Sequence, residues 1–132
     1  MDYSKNSGNP PDWNTASTTF DDWWNPDKFN WNQSWVLAEF CSSHFDIWWN
    51  PDKFNWISSG SLAKYCPDHI SVWWNPEKFN WDNSWELIQS CPEHISVWWD
   101  PEKFDWKYTE YLKQYCNDYK HIWGPDYIIN IV

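Results

Sequence analysis

The chain has 132 residues, of which 23% are aromatic and 16 are tryptophan, and it carries a formal net charge of −10 at pH 7. All nine basic residues are lysines, and an acidic chain without arginine is a poor candidate for direct binding of nucleic acid or of an anionic membrane surface. No apolar run is long enough to span a membrane and the first residues lack the pattern of a signal peptide, which favours a cytoplasmic protein.

A nine-residue tryptophan-rich sequence occurs four times at a constant step of 25 residues. It reads WWNPDKFNW at 23–31 and 48–56, WWNPEKFNW at 73–81 and WWDPEKFDW at 98–106. Self-similarity at a fixed period of this length is typical of arrays in which each unit packs on the next. We therefore predict an N-terminal lead-in or cap, four tandem repeats and a C-terminal cap. Their ranges are 1–19, then 20–44, 45–69, 70–94 and 95–119, and finally 120–132.

Each copy of this sequence contains a predicted helix start. Asn25 is a good N-cap, and Pro26 would occupy the first helical position, where its missing N–H costs nothing. Trp24 and Phe29 then take the two positions of a hydrophobic staple. The pattern predicts that a tryptophan, a proline and a phenylalanine of each copy form a structural joint between repeats. The joint residues are Trp24, Pro26, Phe29, Trp49, Pro51, Phe54, Trp74, Pro76, Phe79, Trp99, Pro101 and Phe104.

Two helices are predicted in each repeat. From Trp31, the apolar residues Trp35 and Ala38 follow at i+4 and i+7, which indicates a helix of about ten residues. A second start is predicted at Pro67 and again at Pro92, where proline can again occupy the first helical position. The fold class is therefore predicted to be all-α: a solenoid of four 25-residue repeats, each made of short paired helices.

The cysteines and histidines are better explained by structure than by metal binding. Cys-x-x-His occurs at Cys41, Cys66 and Cys91, and Zn²⁺ would need two repeats to pool their ligands. Equivalent positions in stacked helices lie about 8–10 Å apart, too far for a shared metal ion or for a disulfide. We expect reduced, buried thiols and neither metal nor cofactor.

No constellation of catalytic residues is evident. The acidic residues Asp27, Asp52, Glu77 and Glu102 recur as copies of one helix-start position, whereas an active site needs unlike groups that converge. The chain also lacks a glycine-rich phosphate loop and a zinc-protease motif. An enzyme is the least supported class of protein.

Positions that differ between the copies are the candidates for binding. Positions shared by every copy serve the stack, so the variable ones on or beside the first helix are free to contact a partner. From these we predict a partner-binding surface that includes Trp35, Asp82, Trp85, Glu86 and Glu110. The alternative is that Trp35 and Trp85 complete the core, since they fit its apolar stripe.

The predicted function is a non-enzymatic protein–protein interaction module that binds a protein or peptide, by analogy with other repeat solenoids. One alternative is a protein that binds or sequesters small aromatic or sugar ligands on tryptophan faces. Another is an acidic inhibitor that mimics nucleic acid through its charge of −10. A designed or recently duplicated array with no specific activity would also account for the near-identity of the copies.

Overall fold

The computed structural model describes residues 6–124, and this part of the chain is helical and contains no strand. The α-helices are short, with four to seven residues each. In chain order they are α1 (Phe20–Trp23), α2 (Ser34–Phe40), α3 (Phe45–Trp48), α4 (Gly60–Tyr65), α5 (Ile70–Trp73), α6 (Ser84–Ser90), α7 (Ile95–Trp98), α8 (Thr109–Tyr115) and α9 (Lys120–Trp123).

A 3₁₀ turn precedes most of these helices and lengthens them. The turn Trp31–Gln33 runs into α2, so the first helix of that repeat covers ten residues, as predicted. The turn at Pro67 runs into α5, which confirms the second predicted start. The 3₁₀ helices are Trp13–Thr15, Trp31–Gln33, Ser42–His44, Trp56–Ser58, Pro67–His69, Trp81–Asn83, Pro92–His94, Trp106–Tyr108 and Asn117–Tyr119.

The helices stack as a solenoid, as the repeat predicts. The longer helices form one row in which α2 packs on α4, α4 on α6 and α6 on α8. The shorter helices α3, α5 and α7 each pack on the longer helix that precedes them. The core lies between these helices and includes one buried leucine from each repeat, Leu37, Leu62, Leu87 and Leu112.

The Asn-Pro dipeptide forms an isolated turn, so the prediction that it starts a helix is wrong. The Asn25 side chain accepts the Asp27 N–H over 3.0 Å, and the Asn25 carbonyl accepts the Phe29 N–H over 2.9 Å. The helix cannot continue because Asn30 is extended (φ −81°, ψ 96°) and its own side chain caps the following turn by accepting the Asn32 N–H. Asn55, Asn80 and Asp105 repeat this cap.

The two adjacent tryptophans that begin each nine-residue sequence differ in burial, and the first of them is the more deeply buried. Trp23 is fully buried, whereas Trp24 is half-buried and lies 5.6 Å from the Phe29 ring between centroids. The predicted staple contact is therefore confirmed, but the joint residue Trp24 is not the deepest of the pair. Trp24 follows the last turn of α1 in extended conformation (φ −62°, ψ 127°), which turns its side chain away from the deepest part of the core.

A buried hydroxyl connects each repeat to the next. Ser59 is fully buried on the turn that leads into α4, and its Oγ accepts the Asn80 N–H of the following repeat over 2.8 Å. Ser34 and Ser84 accept the Asn55 and Asp105 N–H groups in the same way, over 3.0 and 3.4 Å. Because these donors start the next 3₁₀ turn, the hydroxyls set each repeat against its neighbour.

The ends of the described chain cover the stack. The Trp13 ring lies 5.9 Å from Trp23 and 5.8 Å from Phe40 between centroids, so the lead-in contacts the first repeat. At the other end Trp123 is buried at the position of Trp23 in a further copy. The predicted C-terminal cap 120–132 lies outside the described residues beyond Gly124. No helix within 6–124 is both long enough and apolar enough to cross a bilayer.

Candidate functional site

The variable tryptophans lie on the row of longer helices. Trp35 on α2 is 41% exposed and Trp85 on α6 is 38% exposed, so each presents a large part of its indole to solvent. Between them α4 carries Gly60 at the equivalent position. Glu110 on α8 and Asp82 beside α6 are exposed. The first-helix row therefore holds four of the five predicted binding residues at its surface.

A cavity lies between the two tryptophans, and Gly60 is part of its lining. It has a volume of about 330 Å³ and reaches from α2 across α4 to α6. A Cβ atom built on Gly60 would lie 3.0 Å from three atoms of the Asn83 side chain, so Asn83 fills the room that a larger residue would take. The cavity is lined by Trp35, Glu39, Ser58, Gly60, Ser61, Lys64, Tyr65, Asn83, Trp85 and Glu86. We call it the Trp35–Trp85 cavity.

The charged groups of this cavity are two carboxylates and one ammonium. Glu86, the fifth predicted residue, is only 6% exposed, and its Oε2 accepts a hydrogen bond from the Ser90 hydroxyl over 2.5 Å. Glu39 is half-buried at the opposite wall. Lys64 places its Nζ 5.2 Å from the Tyr65 ring centroid. Within 6–124 no ion pair shorter than 4.0 Å joins Lys64 to either carboxylate.

A second cavity adjoins the first and shares the Trp85 side chain. It measures about 240 Å³ and is lined by Trp85, Gln89, Tyr111 and Tyr115. The Tyr111 and Tyr115 rings, one turn apart on α8, lie 6.2 Å from each other between centroids. Its lining has no charged side chain, so it differs chemically from the Trp35–Trp85 cavity. We call it the Tyr111 cavity.

The cysteines are buried thiols. All four are free and inaccessible, and burial raises the pKa of Cys66 from its ordinary 9.0 to about 12. The histidine of the first repeat stacks on the residue that begins it: the His44 and Phe20 ring centroids are 4.4 Å apart, and the His44 Nε2 lies 2.8 Å from the Ser17 carbonyl. Among residues 6–124 no cluster of three His, Cys, Asp or Glu side chains could hold a metal ion.

Several lining residues were missed by the sequence reasoning. Lys64, Gln89 and Tyr115 line the two cavities but were not predicted. A signal was present, because the set Glu39, Lys64, Gln89 and Gln114 also varies between copies on the first helix. The burial of Glu86 had no such signal, because a glutamate on the variable part of the first helix is expected to be exposed.

Comparison with known proteins adds no relative: the chain matches no family model, no curated protein and no solved structure. The class of the protein therefore follows from its own fold. It is a helical repeat protein built from short tryptophan-rich helix pairs. The cavities lie where those repeats differ in sequence.

Proposed function

We propose that this chain is a non-enzymatic interaction module that binds a segment of a partner protein along the row formed by α2, α4, α6 and α8. The observation that carries the proposal is the pair Trp35 and Trp85, which are exposed by 41% and 38% on either side of a cavity. Tryptophan is enriched among residues that dominate binding energy at interfaces. A surface that runs across several repeats suits an extended partner segment.

The internal comparison of the repeats supports the same surface. Every described copy has a buried leucine and a buried second-helix tryptophan, whereas one position of the first helix holds three different residue types in the four copies, as Trp35, Gly60, Trp85 and Glu110. Packing in the stack does not require these sequence differences between repeats. A partner that contacts several repeats at once would explain them. An intracellular location accompanies the proposal, since four free thiols are typical of reducing compartments.

The proposal is tested by selecting peptides and asking where they bind. A phage library of random 12-residue peptides is selected on the immobilised chain, and affinities of enriched peptides are measured for wild type and variants. We expect the double variant W35A/W85A to weaken binding by at least about tenfold. The control I47A/V97A removes exposed apolar side chains of α3 and α7, which line neither cavity, and is expected to bind as wild type does.

Two results would contradict the proposal. Peptides that bind W35A/W85A as tightly as wild type would place binding on another surface, and failure to enrich any peptide would argue against a peptide-binding module. Circular dichroism melts of both double variants establish that each remains folded.

The aromatic lining of the Tyr111 cavity favours a second candidate, a binder of small ring ligands. Trp85, Tyr111 and Tyr115 supply apolar faces and Gln89 supplies an amide, a combination that suits a sugar or an aromatic ring. A sugar and nucleoside panel, followed by tryptophan fluorescence, tests it. A saturable change that disappears in W85F would favour this candidate over the interaction module.

A further inference from the structure

The Trp35–Trp85 cavity has the chemistry of a cation site. We infer that it takes the lysine or arginine side chain of a basic, extended partner segment, and that the adjoining Tyr111 cavity takes an apolar side chain of the same segment. This inference rests on the proposed function and specifies the partner's chemistry.

The first argument is the position of Glu86. Glu86 as a whole residue is only 6% exposed, yet it borders a cavity. In the described chain it accepts one hydrogen bond, from Ser90. A buried carboxylate is costly unless a cation or several donors compensate its charge. A guanidinium or ammonium group that enters the cavity would provide this compensation.

The second argument is that the chain does not supply this cation itself. Lys64 is the one basic residue in the lining, and its Nζ lies over the Tyr65 ring rather than within ion-pair distance of Glu86 or Glu39. The lining therefore has two carboxylates against one ammonium. The net charge of −10 acts in the same direction, because it attracts basic segments over a longer range.

The third argument is the aromatic wall. Trp35 and Trp85 border the cavity on α2 and α6, and tryptophan is the aromatic residue that attracts cations most strongly. With a volume of about 330 Å³ the cavity is at the small end of ligand sites, which suits one side chain better than a whole folded element. Aromatic rings beside a buried carboxylate favour an ammonium or guanidinium over an uncharged group of equal size.

The Tyr111 cavity indicates a second side chain of the partner segment and its distance from the basic one. Its lining is uncharged and aromatic, so it suits an apolar side chain. The first cavity is centred on α4 and the second lies between α6 and α8, a separation of about 12–15 Å at the usual helix spacing. An extended chain covers that distance in about four residues. The expected segment thus carries lysine or arginine about four positions from an aliphatic or aromatic residue.

The test uses peptides enriched on the wild-type chain whose binding is lost in W35A/W85A. We expect these peptides to share a lysine or arginine, and Glu86→Gln to weaken them by at least about tenfold. Glu86→Gln keeps the size of the side chain and its ability to accept the Ser90 hydroxyl. Lys64→Gln removes the competing charge and is expected to strengthen the same peptides several-fold. The matched control Glu102→Gln changes an exposed carboxylate outside both cavities and is expected to leave affinity unchanged.

A double-mutant cycle separates local pairing from general electrostatics. Replacing the peptide's basic residue by norleucine should weaken binding to wild type but cause little further loss with Glu86→Gln. The inference is overturned if Trp35/Trp85-dependent peptides lack basic residues, or if they bind Glu86→Gln as tightly as wild type; the proposed function would then still stand. If no enriched peptide depends on Trp35 and Trp85, the proposed function fails as well.

Discussion

The indole Nε1 of Trp73 donates a hydrogen bond to the main-chain carbonyl of Cys66, seven residues earlier, over 2.8 Å. The bond ties the end of α5 to the residue that follows α4, so it closes the corner between the two helices of one repeat. The same bond recurs in each copy, from Trp23 to Ala16, Trp48 to Cys41, Trp98 to Cys91 and Trp123 to Cys116.

The first prediction compares the two tryptophans of one pair. Trp73→Ala should lower the free energy of unfolding by about 3–5 kcal/mol, because it removes a fully buried ring and one of the two N–H groups that donate to the Cys66 carbonyl, the other being that of His69. Trp74→Ala should cost about 1–2 kcal/mol, because that ring is half-buried. Urea unfolding followed by circular dichroism measures both. Equal losses would contradict the assignment of the first tryptophan to the core.

The difference between these two residues shows what the sequence can and cannot predict. The period of 25 and the apolar stripe from Trp31 predict the fold class and the ten-residue first helix. Trp73 and Trp74 have the same hydropathy, however, and their burial is decided by where α5 ends and the backbone becomes extended (ψ 127° at Trp74). The extended backbone at Asn30, which ends the Asn-Pro turn, is likewise not visible in the hydropathy of the sequence.

The candidate site also has features that the sequence predicts and features that it does not. Sequence variation among the copies selected the row that contains Trp35 and Trp85, and the structure leaves both partly exposed; that this row binds a partner stays a prediction. Glu86, by contrast, is buried, and it lines one cavity together with Gly60 of the preceding repeat. That two residues 26 positions apart line the same cavity is a tertiary property, and no pattern local to either repeat contains it.

The second prediction concerns the hydroxyl between repeats. Ser59→Ala leaves the Asn80 N–H without the acceptor that it has at 2.8 Å, and Ser59 is fully buried. The free energy of unfolding should therefore fall by about 1–3 kcal/mol. Ser71→Ala, an exposed position on α5, serves as the control and should change stability by no more than about 0.5 kcal/mol. If both substitutions cost the same, Ser59 does not join the repeats energetically.

The third prediction tests the contact between Gly60 and Asn83. A Cβ atom at residue 60 would come within 3.0 Å of the Asn83 side chain, which offsets the gain of about 1 kcal/mol that alanine brings to a helix. Gly60→Ala alone should therefore change stability little. In an Asn83→Gly background, which also removes the Cβ atom of residue 83, the same substitution should stabilise the chain by about 1 kcal/mol. Thermal melts of the four proteins in this cycle measure the coupling, and strictly additive effects would refute it.

The fourth prediction uses tryptophan exposure. Five indoles, at 23, 48, 73, 98 and 123, are buried to 1% exposure or less, whereas Trp35 and Trp85 are 41% and 38% exposed. Acrylamide should therefore quench part of the tryptophan emission of the wild type. This quenchable part should be lost in W35F/W85F. The control W31F/W81F replaces two half-buried rings and should reduce quenching less. If W35F/W85F leaves the quenching slope unchanged, the two side chains are not the accessible ones.

The fifth prediction concerns the buried thiols and alkaline pH. Burial raises the pKa of Cys66 from 9.0 to about 12 and that of Cys41 to about 11. Below pH 9 the Cys66 thiol is protonated in both the folded and the unfolded chain, so its contribution to stability is complete. As the pH rises from 9 toward about 12, the unfolded chain releases this proton while the folded chain keeps it, and stability is lost.

The size of this effect follows from the proton balance. One thiol can remove at most about 1.4 kcal/mol for each pH unit above 9. Urea unfolding of wild type and Cys66→Ala at pH 8, 9 and 10.5 isolates the thiol, because lysine and tyrosine ionisation affects both proteins alike. We expect the wild type to lose stability more steeply than Cys66→Ala above pH 9, with parallel behaviour below it. Two curves that stay parallel up to pH 10.5 would show that the Cys66 thiol reaches solvent without unfolding of the stack.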